Sequence, residues 1–349
     1  MIIISALILS FYSFGQRSNI SKVDKVLSEL TQQNLFSGAV LIADSSGIIL
    51  SKGYGYADKE RKIHNTPNTR FSLSSGSKVL AGTVITYLAQ VGKLKFTDTV
   101  GKYIKGLPKG DIITIHQILT HSAGFNDFFN AYDFSYYSVK NCTDMLRFMR
   151  SMPLVYSPGD STVYSTGDAI ILGAIIEKIT GMSFQEYITK TFIAPLKLSN
   201  TSFTPYWQLK DTQTCCAVGY EKTETGFARK PYNYDPDFVP LSAGGVWSSV
   251  TDLYKFDKAV FSKKIVNAKY LDLMTRPYTP QWDCCHFGYS WIINDKKRTI
   301  GHDGSSSGWL TKNDYYPKEK ITIIILSNFG WADLDSISDK IEEALELRK

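Results

Sequence analysis

Apolar residues change their period several times along the chain, and each change marks an element. Val23, Val26, Leu27 and Leu30 recur at helical spacing, which predicts a helix over 23–35. Gly38-Ala-Val-Leu-Ile-Ala43 is a continuous apolar run, Asp44-Ser-Ser-Gly47 is turn chemistry, and Ile48-Ile-Leu-Ser-Lys52 returns, so a hairpin follows. The run from Val79 to Leu88 is long enough for a buried helix, opened by the loop and cap residues Ser74-Ser-Gly76. Ile113 to Leu119 reads as a short amphipathic helix closed by Thr120-His-Ser-Ala-Gly124. Helices are also predicted over 142–152, over 169–180 with Gly181 as its stop, over 183–191, and from Ser248 through Phe256. Strands are predicted over Phe287–Ile293, Arg298–His302 and Ile321–Leu326, the last buried on both faces. Trp331 to Leu347 is a terminal amphipathic helix.

Strands therefore lie at both ends with helices between them. The fold class expected is α+β: an antiparallel sheet formed from the N- and C-terminal parts, flanked by helices, with a mostly helical inserted subdomain. The α/β part covers about 16–74 and 240–349, and the helical part about 75–239. Between them, Phe125 to Tyr137 is dense in Phe, Tyr, Asn and Asp. It is a long loop, serving either as a ligand rim or as an aromatic cluster packed on the helices.

Composition narrows the class. A chain of 349 residues with 43% hydrophobic and 21% charged content is a folded globular protein. The net charge of +6 is spread without a long basic run, which argues against nucleic acid as a partner. Residues 1–15 are apolar and uncharged, with Ser13 and Gly15 at the positions a signal peptidase reads. They are expected to be a signal peptide too short to span a bilayer, leaving 16–349 as an exported chain, periplasmic or secreted. Export permits disulfides, and the five cysteines are Cys142, Cys215, Cys216, Cys284 and Cys285. An odd count leaves a thiol over, and the two adjacent pairs either bridge one another or simply pack. Neither pair has the Cys-x2-Cys spacing of a thiolate zinc site. His64, His116, His121, His286 and His302 form no His-x-His or His-x-x-x-His pattern, so no metal and no cofactor is expected.

The chemistry starts at Ser75 and Lys78. If Ser75 sits in the first helical turn, the two side chains share one face and reach each other. A serine hydroxyl is a poor nucleophile until a neighbour takes its proton, and an amine held dry beside it can do so. Taken alone the pair would pass for a cap and a solvated lysine. Two more pieces follow in order: Tyr164-Ser-Thr166 just before a strong helix, and Gly301-His-Asp-Gly304 on a late strand.

This order resembles the serine β-lactamase and penicillin-binding protein superfamily, and within it the class C β-lactamase-related branch that also holds D,D-peptidases, D-aminopeptidases and esterases. Ile118-Leu-Thr-His-Ser-Ala-Gly124, Ser157-Pro-Gly-Asp160, Leu172–Gly181 and Ala243–Leu253 resemble the framework of that branch, so the likeness covers nearly the whole mature chain. The resemblance implies that Ser75 is the nucleophile, Lys78 its proton partner, and Tyr164 the group that moves a proton to the leaving group or from the serine. It implies an oxyanion hole from the backbone N–H groups of Ser75 and Ser305, and substrate contacts from Thr166, His302, Asp303 and Gly304. Gly304 is expected to keep the strand edge clear for substrate.

Two positions depart from the pattern. Thr166 stands where the branch has Asn, and Asp303 stands where β-lactamases have a Thr that helps bind the substrate carboxylate. Two like charges ~5 Å apart repel by roughly 3 kcal/mol at an effective dielectric of ~20. Pairing of Asp303 with Lys312, Lys296 or Arg298 would blunt that repulsion. The function expected is that of an exported serine hydrolase acting through an acyl-serine on a peptide, amide or ester, with D-amino-acid substrates among the candidates. The alternatives are a β-lactamase proper and a non-catalytic peptidoglycan-binding homologue. The partner is a small-molecule or peptide substrate, with cell-wall fragments included.

Overall fold

The computed structural model describes residues 19–347 apart from 133, 135–138, 204–215, 225 and 230–240. The apolar stretch 1–15, Cys215 and the end of the aromatic segment lie outside the described residues. A helix over residues 19–32 (α1) leads into the hairpin β1 (Gly38–Asp44) and β2 (Gly47–Tyr54). The middle of the chain carries α2 (Lys78–Gln90), α3 (Cys142–Arg150), α4 (Thr166–Thr180) and α5 (Val250–Phe261). The last part supplies β3 (Thr279–Gln281), β4 (Cys285–Phe287), β5 (Ile292–Asn294), β6 (Thr299–Gly301) and β7 (Gly304–Ser306). It ends with β8 (Trp309–Tyr316), β9 (Ile321–Ser327) and α6 (Leu334–Ala344).

Among the described residues these nine strands form one antiparallel sheet in the order β2-β1-β9-β8-β6-β5-β4-β3, and β7 pairs with the other half of the β8 edge. The two ends of the chain meet at its centre, where Ala39 lies opposite Leu326 and Ile42 opposite Ile323. Successive side chains of a strand point to opposite faces. Ala39, Leu41, Ile324 and Leu326 therefore join the core beneath the inserted helices, while Val40, Ile42, Ile323 and Ile325 pack with Val23 and Leu27 of α1 and Ile337 and Ile341 of α6. Both faces are covered, which is why β1 and β9 read as unbroken apolar runs. The helices start on side-chain caps: Asn141 for α3, Ser165 for α4, Ser249 for α5 and Asp333 for α6. Gly181, at φ 69°, ends α4 in the left-handed region.

The expected single strand Phe287–Ile293 is instead a hairpin, with Phe287 opposite Ile292 and Gly288 N–H donating to the Trp291 carbonyl at 2.7 Å. The expected strand Arg298–His302 runs only from Thr299 to Gly301, because the backbone breaks between β6 and β7 at His302-Asp303. Strand β8 has no apolar alternation to announce it: Lys312, Asn313 and Asp314 sit at its centre, and all three are buried. In the aromatic segment, Phe128 and Phe134 stack at 5.3 Å and Phe134 meets Phe148 of α3 at 5.2 Å. Phe125 and Phe128 thus pack into the core, while Phe129 and Tyr132 stay exposed. Cys142 is buried against Ser242, and Cys284 and Cys285 stand side by side as thiols, so these three pack and do not bridge.

One core group is out of character. Asp257 on α5 is fully buried, and burial pushes its carboxyl up to about 7, with the nearby Asn313 amide pulling the other way. The folded state therefore binds a proton that the unfolded chain releases near pH ~4. Stability from this group is full below that pH and is lost as pH rises to about 7, at a scale of roughly 1.4 kcal/mol per pKa unit. Asp257→Asn is expected to be more stable than wild type at pH 8, with the advantage shrinking as pH falls toward 4. Thermal unfolding across that range reads it, and a difference that does not change with pH would contradict this account.

Candidate active site

Ser75 lies in a tight 3-10 turn, Ser74–Ser77, that runs without a break into α2. Ser74 sits at φ 49°, a conformation that side-chain-bearing residues seldom adopt, and its hydroxyl donates to Ser306 Oγ of β7 at 2.6 Å. The turn is thereby pinned to the sheet. Lys78 opens α2, three residues on from Ser75, so its side chain comes back over the turn. Lys78 Nζ lies 3.1 Å from Ser75 Oγ and donates to the Ala243 carbonyl at 2.7 Å. The lysine is 1% exposed, while Ser75 itself is half-buried and open on one side. A solvated lysine and an N-cap serine are both excluded by this arrangement, since Ser75 makes no cap and the ammonium sees no bulk water.

Tyr164 immediately precedes the cap of α4, and its ring stands 5.0 Å from Lys78 Nζ. Its hydroxyl oxygen is buried and has no hydrogen-bond partner. The ring rests against His121, centroids 4.9 Å apart, and stacks on Phe287 at 6.2 Å. His121 Nδ1 lies 2.9 Å from Asp168 Oδ2 in a pair with almost no exposure. Burial first, then the Lys78 charge, holds the imidazole well below its usual range, and burial lifts the Asp168 carboxyl well above its own. The His121 carbonyl also accepts from Val163 N–H at 3.1 Å and from the Tyr156 hydroxyl at 2.9 Å, so this residue fixes the chain that presents Tyr164. Its only mark in the sequence is the phrase Thr120-His-Ser-Ala-Gly124.

The third piece folds back on the first. An added Cβ at Gly304 would lie 2.1 Å from the Leu73 carbonyl oxygen and 2.9 Å from Gly76 N. Gly304 is required by close packing on the Ser74–Ser77 turn, and it also borders the cavity, where room for substrate is the expectation. Ser305 next to it is exposed, on a strand whose one partner in the sheet is β8. His302 is buried; its Nδ1–H donates to the Asp303 carbonyl at 2.7 Å, and burial and Lys78 push its pKa down to about 4. Asp303 pairs with Lys312 at 3.1 Å, but that lysine also serves Asp335 at 2.8 Å and Asp314 at 3.7 Å.

Ser75, Tyr164, His302, Asp303, Gly304 and Ser305 all border one cavity of about 320 Å³. Lys78 stands behind Ser75. Thr166 is not on the cavity wall; its backbone N–H donates to Asp127 Oδ2 at 3.3 Å from the aromatic segment. Lys312, Asp314, Gln281 and Trp282, which the sequence pattern does not mark, complete the far wall and the lip. Among the described residues no group of three or more His, Cys, Asp or Glu side chains is arranged to hold a metal ion. A hydroxyl beside a dry lysine, with a bare phenol and the exposed Ser305 on the wall of one cavity, is equipped for nucleophilic acyl transfer.

Comparison with known proteins bears on the family and the fold. Protein flp of Staphylococcus aureus is 26% identical over 321 residues, an alignment covering 88% of this chain but 63% of that protein, so this chain spans less than two thirds of its length. The octameric penicillin-binding protein homologue from Pyrococcus abyssi superposes with a TM-score of 0.83 at 27% identity, over 94% of this chain and 77% of that one. The D-amino acid amidase from Ochrobactrum anthropi shares the fold with a TM-score of 0.81 at 18% identity, over 94% of this chain and 99% of that one. The family model described as Beta-lactamase matches residues 23–345, nearly all of the described chain, and the protein belongs to that family.

Proposed function

We propose that this protein is a serine hydrolase that transfers an acyl group to Ser75 and then to water, acting on an amide, ester or small peptide, with D-amino-acid compounds the first candidates. The observation that carries the proposal is the contact of Lys78 Nζ with Ser75 Oγ at 3.1 Å in a lysine withdrawn from water. Ser75 Oγ attacks the carbonyl carbon, and its proton passes to Tyr164, which reacts as the phenolate beside the Lys78 ammonium. The carbonyl oxygen takes the negative charge beside the Ser75 and Ser305 N–H groups. Collapse breaks the bond to the leaving group, which takes a proton from Tyr164. Water repeats the steps on the acyl-serine and frees the acid. The fold relationship to a D-amino acid amidase supports the amide reading, and the intact set of Ser75, Lys78 and Tyr164 disfavours a purely binding homologue. Export rests on the apolar leader alone.

The third-motif end of the cavity argues against β-lactams. Such a substrate brings a carboxylate, and this wall offers a neutral histidine and a lysine already shared among three carboxylates. Ser75→Ala is expected to remove turnover of a p-nitrophenyl ester while circular dichroism shows an unchanged fold, and residual turnover at the wild-type rate would end the mechanism. Asp303→Thr removes one like charge and leaves Lys312 shared between Asp335 and Asp314. The ratio of kcat/KM for nitrocefin to that for a neutral p-nitrophenyl ester should rise severalfold, up to roughly a hundredfold. Efficient nitrocefin hydrolysis by wild type, or an unmoved ratio, would contradict the charge argument.

A further inference from the structure

We propose that the far end of the catalytic cavity is a subsite for a primary ammonium group on the substrate, built by Asp303, Asp314, Gln281 and His302. This rests on the acyl-transfer reading of Ser75 and names the substrate class for it.

Strand register brings the wall together. Gln281 lies opposite Cys285, Cys285 opposite Asn294, and Asn294 opposite Thr299, so one row crosses four strands on one face. All four residues border the cavity that holds Ser75. The row ends on Asp314, whose Oδ1 accepts from the Thr299 hydroxyl at 3.1 Å.

The wall holds buried acceptors that make no hydrogen bond. Gln281 is 7% exposed and its Oε1 has no hydrogen-bond partner. Asp314, also 7% exposed, leaves Oδ2 with the Lys312 ion pair at 3.7 Å and no hydrogen bond. His302 has committed its Nδ1–H to the Asp303 carbonyl, so Nε2 carries the lone pair, and it too is buried without a partner. An unmet buried acceptor costs roughly 1–3 kcal/mol; these atoms are closed to solvent as they stand, and a ligand bearing several N–H donors relieves them once the side chains turn toward it.

Charge points the same way. Lys312 meets Asp303, Asp314 and Asp335, so one cation faces three carboxylates. The side chain of Asp303 remains 56% exposed at the cavity, free to meet a second cation. At the lip, Trp282 is 71% exposed and presents an aromatic face, a further surface that attracts cations. A carboxylate meets repulsion here, a neutral group leaves the acceptors unmet, and an ammonium satisfies both charge and hydrogen bonding.

The test uses three p-nitrophenyl esters whose acyl chains are equal in length and end in an ammonium, an acetamide or a carboxylate. In the wild-type protein the ammonium ester should exceed the acetamide ester in kcat/KM by about tenfold, with the carboxylate ester poorest. In Asp303→Asn, where the exposed side chain makes misfolding a small risk, the ammonium-to-acetamide ratio should fall to within about twofold of unity. Gln281→Leu should lower the same ratio. Equal rates for the two esters in wild type, or a ratio unmoved by Asp303→Asn, would overturn the subsite while leaving acyl transfer intact. Absence of Ser75-dependent turnover on all three would instead overturn the acyl-transfer reading. The subsite is then decided by calorimetric binding of the ammonium-ended and acetamide-ended amides to Ser75→Ala, where equal affinity overturns it.

Discussion

A lysine ammonium withdrawn from water needs partners, and the site is arranged around how Lys78 finds them. Desolvating such a charge costs several kcal/mol unless hydrogen bonds replace the lost water. The Ala243 carbonyl at 2.7 Å supplies one and the Ser75 hydroxyl at 3.1 Å the other. Those two contacts tie the start of α2 to the nucleophile turn and to the segment before α5. The same charge adds to burial in keeping His121 and His302 neutral, so both rings flanking Tyr164 are uncharged while the lysine dominates the local field.

The sheet gives that lysine a rigid frame. Strand β8 carries two kinds of cargo on its two faces. Thr311 touches the nucleophile turn, coming within 3.3 Å of a Cβ placed on Gly76. Lys312 and Asp314 look the other way, into the ion pairs that reach α6 and the far end of the cavity. Nucleophile turn, third motif and charged wall are therefore held by one strand, and Gly304 lets β7 approach Leu73 closely enough to close the arrangement.

Much of this was legible in the chain. The helical period before Leu30, the two apolar runs at Gly38–Ala43 and Ile321–Leu326, and the three short motifs set out the sheet, the inserted helices and the cluster of Ser75, Lys78 and Tyr164. What stayed hidden is what local pattern does not encode. Lys312-Asn-Asp314 masks β8, because buried polar side chains are stabilised by partners more than ten residues away as well as by neighbours. Sites of function are where such local rules are broken. The run Phe287–Ile293 looked like one strand because the bend at Gly288–Ser290 falls inside an aromatic stretch. Thr166 was placed by motif position, yet its backbone is spent on Asp127. His121 and Asp168 could not be paired from sequence, since 47 residues separate them.

The account stands on Lys78 activating Ser75, and a covalent probe reads that directly. Wild-type protein and Lys78→Met are treated with a fluorophosphonate at neutral pH, and the adduct is located by peptide mapping with intact mass over time. The account predicts a single adduct on Ser75 in wild type and labelling slowed by about a hundredfold or more in Lys78→Met. An adduct on any other residue, or a substituted protein labelled as fast as wild type, would contradict it.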